Sequence, residues 1–547
     1  MIVAEAVGRA LAELGADTVF GVVGSGNFHV TNAMVAAGAR FVAARHEGGA
    51  ATMADAYART AGGLGVLSVH QGPGLTNAMT GIAEAAKSRT PLLVLAGEAT
   101  EPGSNFHIDQ AAMVAAVGAI PLRVRSVETA MADTARAVRI ALGERRTVLL
   151  NLPLDVQSQP VRHVALPSRG AVFPSGAAPS PAGVASLAEA LAAAARPVFV
   201  AGRGARHARE ALRALAGRTG ALLATSAVAK GLFHGDPWSL DVSGGFSSPL
   251  AAELIGAADL LVGWGCALNM WTMRHGALIG PRTTVVQVDL EEAAIGRHRP
   301  VHLGVVGDCR ETALLVAEAL PEDPAGEGAG YRSPELARRI AAEVRWRDVP
   351  YEDLGGDGRI DPRTLTVELD DLLPAERVIA VDSGNFMGYP AMYLSVPDEK
   401  GFCFTQAFQS IGLGLSTAIG AALAQPNRLP VAALGDGGAL MGAAELETVV
   451  RLGLPMVIVV YDDEAYGAEV HHFGPGGHPL GTVTFPPADL AAIARGHGCA
   501  GVTVREPGDL AQVAAWLNGP RDRPLLIDAK VSPEKPAWWL EEAFRGH

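Results

Sequence analysis

The sequence predicts an α/β protein made of three domains, each built around a parallel sheet. The chain has 547 residues, which is enough for three or four domains, and 49% of them are hydrophobic. Short apolar runs rich in β-branched residues alternate with helical patterns along the whole chain, as is typical of parallel sheets covered by helices. Two segments rich in proline, glycine and polar residues, 155–181 and 321–334, separate three stretches of domain size.

The apolar runs predict the strands in order. They lie at 18–23, 64–69, 92–96 and 147–150, then at 197–201, 260–263 and 284–288, and finally at 377–381, 431–434 and 456–460. Between the last two strands we expect a glycine-rich turn and then a helix over 443–451, because Leu446, Val449 and Val450 recur at helical spacing. The predicted domains are residues 1–160, 182–322 and 340–547.

Composition argues against several classes of partner. The net charge of −13 argues against binding to nucleic acid or to an anionic membrane surface. The four cysteines are scattered without any CxxC pair, so the sequence indicates neither a zinc site nor a disulfide framework. The first residues lack a signal pattern and no apolar stretch is long enough to span a membrane, so we expect a cytoplasmic protein.

Acidic residues follow two neighbouring strands of the third predicted domain. Asp436, between two glycines, follows the strand at 431–434, and Asp463 follows the strand at 456–460. The carboxyl ends of parallel strands share one edge of a sheet, which is where such proteins bind ligands. Two carboxylates and the carbonyl of Ala465 are oxygen ligands of the kind that Mg²⁺ prefers and shares with phosphates. The pattern therefore predicts a magnesium and diphosphate site.

The run from Gly435 to Gly467 resembles the thiamine diphosphate motif of the superfamily that includes acetolactate synthase, pyruvate decarboxylase, benzoylformate decarboxylase and benzaldehyde lyase. That motif is Gly-Asp-Gly, a spacer of this length and usually Asn-Asn, whereas this chain has Asp462-Asp463, which adds a negative charge. The resemblance implies thiamine diphosphate and Mg²⁺ as cofactors, and a pyrimidine-binding, a middle and a diphosphate-binding domain. It places the metal on Asp436, Asp463 and Ala465. The other implied cofactor contacts of this domain are Asn385, Gln409, Ile411, Gly435, Gly437, Gly438, Tyr466 and Gly467.

Glu47 lies in a segment, 45–59, that is similar to the Arg-His-Glu block of the same superfamily. By that resemblance Glu47 hydrogen-bonds the pyrimidine ring and favours the tautomer whose nitrogen removes the C2 proton of the thiazolium. Ile411 would hold the cofactor in its bent shape, and the carbonyl of Gln409 would accept from the aminopyrimidine. In the superfamily this glutamate faces the metal site of another subunit, so we expect a dimer or a tetramer.

The resemblance also implies residues of a substrate pocket, namely Ser25, His70, Gln71, Gln110 and His471. Ser25 with His70 is similar to benzoylformate decarboxylase, 108–113 to benzaldehyde lyase and 72–77 to acetolactate synthase, so the pocket names no single substrate. His70 could relay a proton, and the two glutamines could bind a carboxylate or a hydroxyketone. We expect His29 to be structural and His472 to be solvated.

The resemblance implies chemistry on a 2-oxo acid. Carbon dioxide leaves, and the enamine-carbanion is protonated to an aldehyde or attacks an aldehyde or ketone to form an acyloin, as in acetolactate synthase. Acyloin cleavage, a flavin-dependent oxidase and an inactive sensor of the same fold are the alternatives. We do not expect FAD, because 202–204 lacks the full dinucleotide fingerprint and 265–271 lacks the Arg-Phe-Asp-Asp-Arg block of flavin-binding relatives.

Overall fold

The structure is a computed structural model that describes residues 1–161, 177–321 and 330–543. In these ranges the strands form three sheets of six strands each, and every pairing of neighbouring strands is parallel. Helices cover the sheets, so their central strands are buried along nearly their whole length and consist mostly of apolar residues. This confirms the predicted class of three parallel-sheet α/β domains.

The first sheet has the strand order 2-1-3-4-6-5. Its strands are β1 (Thr18–Gly21), β2 (Arg40–Ala43), β3 (Gly65–Val69), β4 (Leu92–Glu98), β5 (Ile120–Arg123) and β6 (Thr147–Pro153). The helices of this part of the chain are α1 (Val3–Glu13), α2 (Phe28–Ala36), α3 (Glu47–Ala61), α4 (Pro73–Asn77), α5 (Met79–Lys87), α6 (Gln110–Ala116), α7 (Ala130–Gly143) and α8 (Leu154–Gln157).

The second sheet has the order 12-11-10-7-8-9. Its strands are β7 (Pro197–Ala201), β8 (Leu222–Thr225), β9 (Ser239–Val242), β10 (Leu260–Trp264), β11 (Thr284–Asp289) and β12 (Leu303–Val306). The helices around it are α9 (Pro181–Ala193), α10 (Arg209–Thr219), α11 (Pro249–Gly256), α12 (Met270–Met273) and α13 (Cys309–Ala319).

The third sheet has the order 14-13-15-16-18-17. Its strands are β13 (Arg377–Val381), β14 (Phe402–Phe404), β15 (Leu429–Gly435), β16 (Val457–Asp462), β17 (Ala500–Val504) and β18 (Leu525–Lys530). Helix α14 (Pro334–Glu343) packs on the second sheet, where Ile340 joins the core. The helices of the third domain are α15 (Pro362–Leu372), α16 (Gly388–Tyr393), α17 (Gly414–Ala424), α18 (Asp436–Met441), α19 (Glu445–Arg451), α20 (Gly467–Phe473), α21 (Leu490–Gly496), α22 (Ala511–Asn518) and α23 (Trp538–Ala543).

Helices α3 and α17 join the first and third sheets. Glycine makes the close approach possible, because a Cβ atom on Gly420 would lie 2.2 Å from the carbonyl oxygen of Met53. Buried side chains of both helices, including Met53 and Ile419, belong to one continuous hydrophobic core that reaches both sheets. The first and third domains of one chain are therefore packed together through small residues.

The sequence prediction was wrong about the glycine-rich turn after β15. The chain is helical there, as α18, and the predicted helix at 443–451 begins later, at Glu445. Parts of the two predicted linkers, 162–176 and 322–329, lie outside the described residues, as do the end of the predicted middle domain at 322 and the last residues, 544–547. All four cysteines are buried and unpaired. Within the described ranges no helix combines the length and the apolar character needed to cross a membrane.

Candidate active site

A cavity of about 520 Å³ lies at the carboxyl edge of the third sheet, where the loops after β13, β15 and β16 meet. Every predicted cofactor and metal position of the third domain lines it. Met270 and Trp271 of the middle domain contribute to the wall, and Trp539 follows the last strand. This is the edge at which α/β sheets bind ligands.

Two of the carboxylates that line this cavity lie directly after strands of the sheet. Asp436 is the first residue of α18, and Asp463 directly follows β16. Burial and the neighbouring Asp462 raise the pKa of Asp436 to about 7, and burial and Asp436 raise the pKa of Asp463 to about 7. Carboxylates that disfavour each other's charge in this way gain from a cation placed between them.

The donor set suits magnesium. In the part of the chain that the structure describes, no group of three or more His, Cys, Asp or Glu side chains gathers to hold a metal. Asp436, Asp463 and the carbonyl of Ala465 therefore provide only part of a coordination shell, all of it oxygen. Mg²⁺ commonly completes such a shell with phosphate oxygens and water.

Glycines keep the floor of the cavity bare. A Cβ atom on Gly467 would lie 2.2 Å from a carboxylate oxygen of Asp463 and 3.2 Å from the Cβ atom of Asn385. A Cβ atom on Gly437 would lie 2.6 Å from the ring of Tyr466. No side chain fits at either position, so the backbone forms a cradle beside the two carboxylates. The cradle and the oxygen donors fit a diphosphate held through a metal ion.

The loop after β14 forms the opposite wall with Gln406, Gln409 and Ile411. Sequence reasoning missed Gln406, although its place directly behind a strand of this sheet was a usable signal. Neither amide atom of Gln406 has a hydrogen-bond partner among the described residues, and both atoms are buried. Buried polar atoms in native structures usually have a partner, so an unpaired amide on a cavity wall fits a ligand that supplies one.

Asp462, which stands where the superfamily usually has Asn, does not line the cavity. Its carboxylate forms a salt bridge with Lys530, the residue directly opposite on β18. Lys530 also lies 3.1 Å from Asp528 and donates to the carbonyl of Ala488 at 2.8 Å. Burial alone would lower the pKa of Lys530, but the two carboxylates outweigh it and raise that pKa. The extra negative charge of this chain is thus paired with a buried lysine next to the candidate metal position.

Glu47 and His70 lie together in the first domain. Glu47 begins α3, and the side chain of Asn77 donates to its carboxylate at 3.0 Å. The Nδ1 atom of His70 accepts from the backbone N–H of Gly26 at 3.2 Å, and the ring packs against Phe106. Burial lowers the pKa of His70, while Glu47 opposes that shift. The neutral ring that accepts at Nδ1 carries its proton on Nε2.

The remaining predicted pocket residues of the first domain differ in their roles. Gln110 is buried and its amide is occupied, since it accepts from the N–H of Gly72 at 2.9 Å and donates to the carbonyl of Gly97 and to Asn151. It supports the turn that follows His70. Gln71 is also buried, and its side-chain oxygen has no partner among the described residues. Ser25 is exposed on the turn after β1, as is His29 at the start of α2.

The first-domain cluster does not reach the cavity of its own chain. No residue of the described range 1–161 lines that cavity. His471, on α20, is half-buried with a lowered pKa that burial causes, and it does not line the cavity either. His472 packs against Phe473. The structure therefore brings the predicted residues together in two groups, one around Glu47 and one around Asp436.

Glu445 ties the start of α3 to the third domain and was missed in the sequence. This buried carboxylate accepts from the backbone N–H groups of Arg45 and His46, at 3.0 and 3.1 Å. The hydroxyl of Thr448 donates to its other oxygen at 2.6 Å. The segment that leads into Glu47 is therefore fixed by the third domain of the same chain.

The middle sheet has its own crevice, between β7 and β10, where the strand order reverses. The two loops meet there through their backbones, since the N–H of Gly204 donates to the carbonyl of Gly265 at 3.1 Å. A Cβ atom on Gly202 would lie 2.3 Å from that same carbonyl oxygen. The space between these loops is thus filled by the chain itself. The absence of FAD stays a prediction.

Comparison with known proteins agrees with this geometry. Family models match residues 1–116 (thiamine pyrophosphate enzyme, N-terminal TPP binding domain), 184–316 (central domain) and 382–529 (C-terminal TPP binding domain). The chain is 32% identical to a protein named probable 2-ketoarginine decarboxylase AruI of Pseudomonas aeruginosa, over 93% of this chain and 90% of the relative.

Further relatives carry different names. An acetolactate synthase large subunit of Parasynechococcus marenigrum is 28% identical over 96% of this chain and 87% of the relative. A sulfoacetaldehyde acetyltransferase of Alcaligenes xylosoxydans xylosoxydans is 28% identical over 83% and 80%. Three parallel-sheet domains with a cradle beside two carboxylates define the class of thiamine diphosphate-dependent enzymes that form or cleave carbon–carbon bonds. The chain belongs to the thiamine pyrophosphate enzyme family.

Proposed function

We propose that this enzyme uses thiamine diphosphate and Mg²⁺ to decarboxylate a 2-oxo acid, and that it releases an aldehyde or joins the product to a second carbonyl compound. The observation that carries the proposal is the cavity at the edge of the third sheet. Its floor is bare backbone, and two carboxylates with raised pKa values lie beside it. Bound thiamine diphosphate would supply the carbanion chemistry.

The chain's own residues would bind, orient and move protons. Asp436, Asp463 and the carbonyl of Ala465 would hold the metal, and the glycine cradle with Asn385 would receive the diphosphate. Glu47 would bind the pyrimidine end through its carboxylate. In the neutral state of His70 the Nε2 proton is the one available for transfer, because Nδ1 accepts from Gly26.

We infer that two copies complete each site. The Glu47 group and the cavity lie apart in one chain, and exposed apolar side chains occur in both regions. Phe28 and Phe106 are 51% and 40% exposed near the first group, and Met441 and Phe408 are 56% and 44% exposed near the cavity. These exposed apolar side chains in both regions support a contact between copies. A dimer or tetramer is expected in mass photometry, and an active monomer would contradict the inference.

The charge of the cavity bears on the substrate. Within the described chain, its lining includes Asp436, Asp463 and Glu469 and no Lys, Arg or His. Glu469 would remain free when the two aspartates hold a metal. A second negative charge on the substrate is therefore disfavoured, whereas a cationic side chain would be attracted to Glu469. The relative named 2-ketoarginine decarboxylase supports a 2-oxo acid with a guanidinium group as the second, narrower candidate.

The test is a panel of 2-oxo acids with aliphatic, aromatic, acidic and guanidinium side chains, assayed with thiamine diphosphate and Mg²⁺. Carbon dioxide release reports decarboxylation, and an added aldehyde tests for an acyloin product. The Glu47→Gln variant is the matched control, since it keeps the size of the side chain. Absence of turnover with every acid would reject the proposal, and cleavage of a supplied acyloin alone would favour the lyase alternative.

Three further properties follow as proposals. Four free, buried cysteines support a reducing compartment such as the cytoplasm. The boundaries 1–160, 182–322 and 340–547 are supported by the three sheets, which lie within them, whereas helix α14, which packs on the middle sheet, crosses the boundary at 340. The filled crevice of the middle sheet supports a domain without FAD, which a colourless purified protein would bear out and a yellow one would contradict.

A further inference from the structure

The loop that carries Gln406, Gln409 and Ile411 into the cavity is held in an uncommon conformation. Gln409 has a φ of 61°, in the left-handed region, and Gly412 has a φ of 87°. A residue other than glycine in that region costs free energy and persists only where the surroundings enforce it. Buried carboxylates hold the backbone on both sides of Gln409.

On the C-terminal side the loop is held by Asp382 of the same domain. This carboxylate is 1% exposed and accepts from the backbone N–H groups of Gly412 at 3.0 Å and Leu413 at 3.2 Å. It also accepts from the N–H of Ser383, at 2.8 Å. The two hydrogen bonds from the loop to this buried carboxylate fix where the loop returns to the sheet.

On the N-terminal side the loop is held by the first domain. Glu84, on α5, is fully buried, and its two oxygens accept from the N–H groups of Ala407 at 3.1 Å and Phe408 at 2.6 Å. Glu84 and Ala407 are 323 residues apart in the chain. The first domain thus contacts the backbone directly before the strained residue.

Arg59 holds the carboxylate of Glu84 in place. Its guanidinium donates to Glu84 at 2.8 Å, to Asp55 at 2.9 Å and to the carbonyl of Phe404 at 3.1 Å, where β14 ends. Burial alone would raise the pKa of Glu84, but Arg59 and the two backbone N–H groups outweigh it and lower that pKa. The acceptor is therefore ionised at neutral pH, which strengthens both of its bonds to the loop.

We propose that Glu84, oriented by Arg59, is a positioning residue through which the first domain fixes the cavity loop of its own chain. Together with Asp382 it forms a two-point clamp around Gln409, and the clamp sets the directions of the Gln409 carbonyl and the Ile411 side chain. The clamp itself is independent of any ligand. Its consequence for thiamine diphosphate rests on the proposed function.

The test compares Glu84→Gln and Glu84→Asp with wild type. Glutamine keeps one acceptor oxygen but replaces the other with an NH₂ group, which cannot accept from a backbone N–H. Aspartate keeps the charge, but its side chain is shorter by one methylene group. Asp133→Asn is the control, because Asp133 is a buried acid of the same domain that also accepts from an arginine and a backbone N–H, far from the loop. Amide exchange of residues 407–409 is measured in the protein without cofactor, and thiamine diphosphate affinity is measured by fluorescence of the cavity tryptophans.

In wild type the amides of Ala407 and Phe408 should be protected before any cofactor is added. In both Glu84 variants their exchange should accelerate by about tenfold or more, as expected for loss of a hydrogen bond to a charged group. The affinity for thiamine diphosphate should fall by about tenfold, while Asp133→Asn leaves both quantities near wild type.

Three results would each overturn the clamp. The amides of Ala407 and Phe408 could be unprotected in wild type, their exchange could be unchanged in both Glu84 variants, or it could accelerate equally in Asp133→Asn. Faster exchange with unchanged cofactor affinity would overturn its positioning role. If wild type itself fails to bind thiamine diphosphate, the proposed function fails, while the exchange experiment still decides the clamp. The two conclusions can therefore be distinguished.

Discussion

Replacement of Lys530 by methionine tests whether this lysine neutralises Asp462 and Asp528 beneath the proposed metal site. The lysine side chain is 5% exposed, and the carboxylates of Asp462 and Asp528 are 2% and 1% exposed. Methionine has a similar length and no charge, so Lys530→Met would leave two acids without a cation. Loss of one partner from a buried ion pair costs about 3–5 kcal/mol. We expect that decrease in the free energy of unfolding of the third domain.

The assay is urea unfolding followed by tryptophan fluorescence, supported by calorimetry. For a domain of this size each kcal/mol corresponds to a few degrees, so the melting temperature should fall by roughly 6–20 °C. Asp462→Asn should be much milder, because Lys530 keeps Asp528 as its partner at 3.1 Å. The double variant, Asp462→Asn with Lys530→Met, should recover part of the loss, since one buried charge is removed with the cation.

The double-variant cycle can refute the reasoning directly. If Lys530→Met lowers the free energy of unfolding by less than about 1 kcal/mol, as is typical of a solvent-exposed ion pair, the lysine does not neutralise buried carboxylates. A double variant that is as unstable as the sum of the single variants would show that Asp462 and Lys530 act independently. Either result would leave the aspartate at this position without a physical explanation.

Three other outcomes are expected. Glu47→Gln should lower turnover, measured by carbon dioxide release, by at least about 100-fold. Its affinity for thiamine diphosphate, measured by calorimetric titration, should change little. Normal turnover in this variant would show that Glu47 takes no part in the reaction. The pKa of His70, measured by NMR, should lie below its ordinary value because burial lowers it. In Glu47→Gln this pKa should fall further, because the Glu47 carboxylate raises it in wild type. The stability that depends on neutral His70 is present above about pH 6.5 and is lost as the pH falls through the lowered pKa. Asp436→Asn should weaken Mg²⁺ binding by about tenfold or more, and equal affinity in a titration with thiamine diphosphate present would exclude Asp436 as a ligand.

The fold was largely predictable because its signal is local. The strands at 197–201 and 377–381 have the predicted bounds, since each is an apolar run that ends where polar or glycine residues begin. The glycine-rich stretch after β15 was not predictable as helix, because glycine has a low intrinsic preference for helices. There the helix is short, and tertiary packing against the sheet outweighs local preference.

In the site, too, the features that depend on local sequence were predictable, and those that depend on residues far apart in the chain were not. Asp436 and Asp463 were predictable because each directly follows a strand, and parallel strands bring such positions to one edge. The support that Gln110 gives to Gly72, and the pairing of Asp462 with Lys530, depend on residues that are far apart in sequence. The resemblance to the superfamily placed Gln110 in the substrate pocket, whereas in the structure its amide is occupied by contacts within the protein.

Charge explains why the proposed metal ion would be needed at this cavity. In the described chain Asp436, Asp463 and Glu469 line it without any cationic side chain, so a diphosphate on its own would be repelled. A divalent cation would reverse that balance and would join the acids to the anion. A third carboxylate directed at the metal from Asp462 would work against this, but its salt bridge with Lys530 keeps it out of the cavity. The lysine on β18 therefore makes an aspartate compatible with a position where the superfamily usually has asparagine.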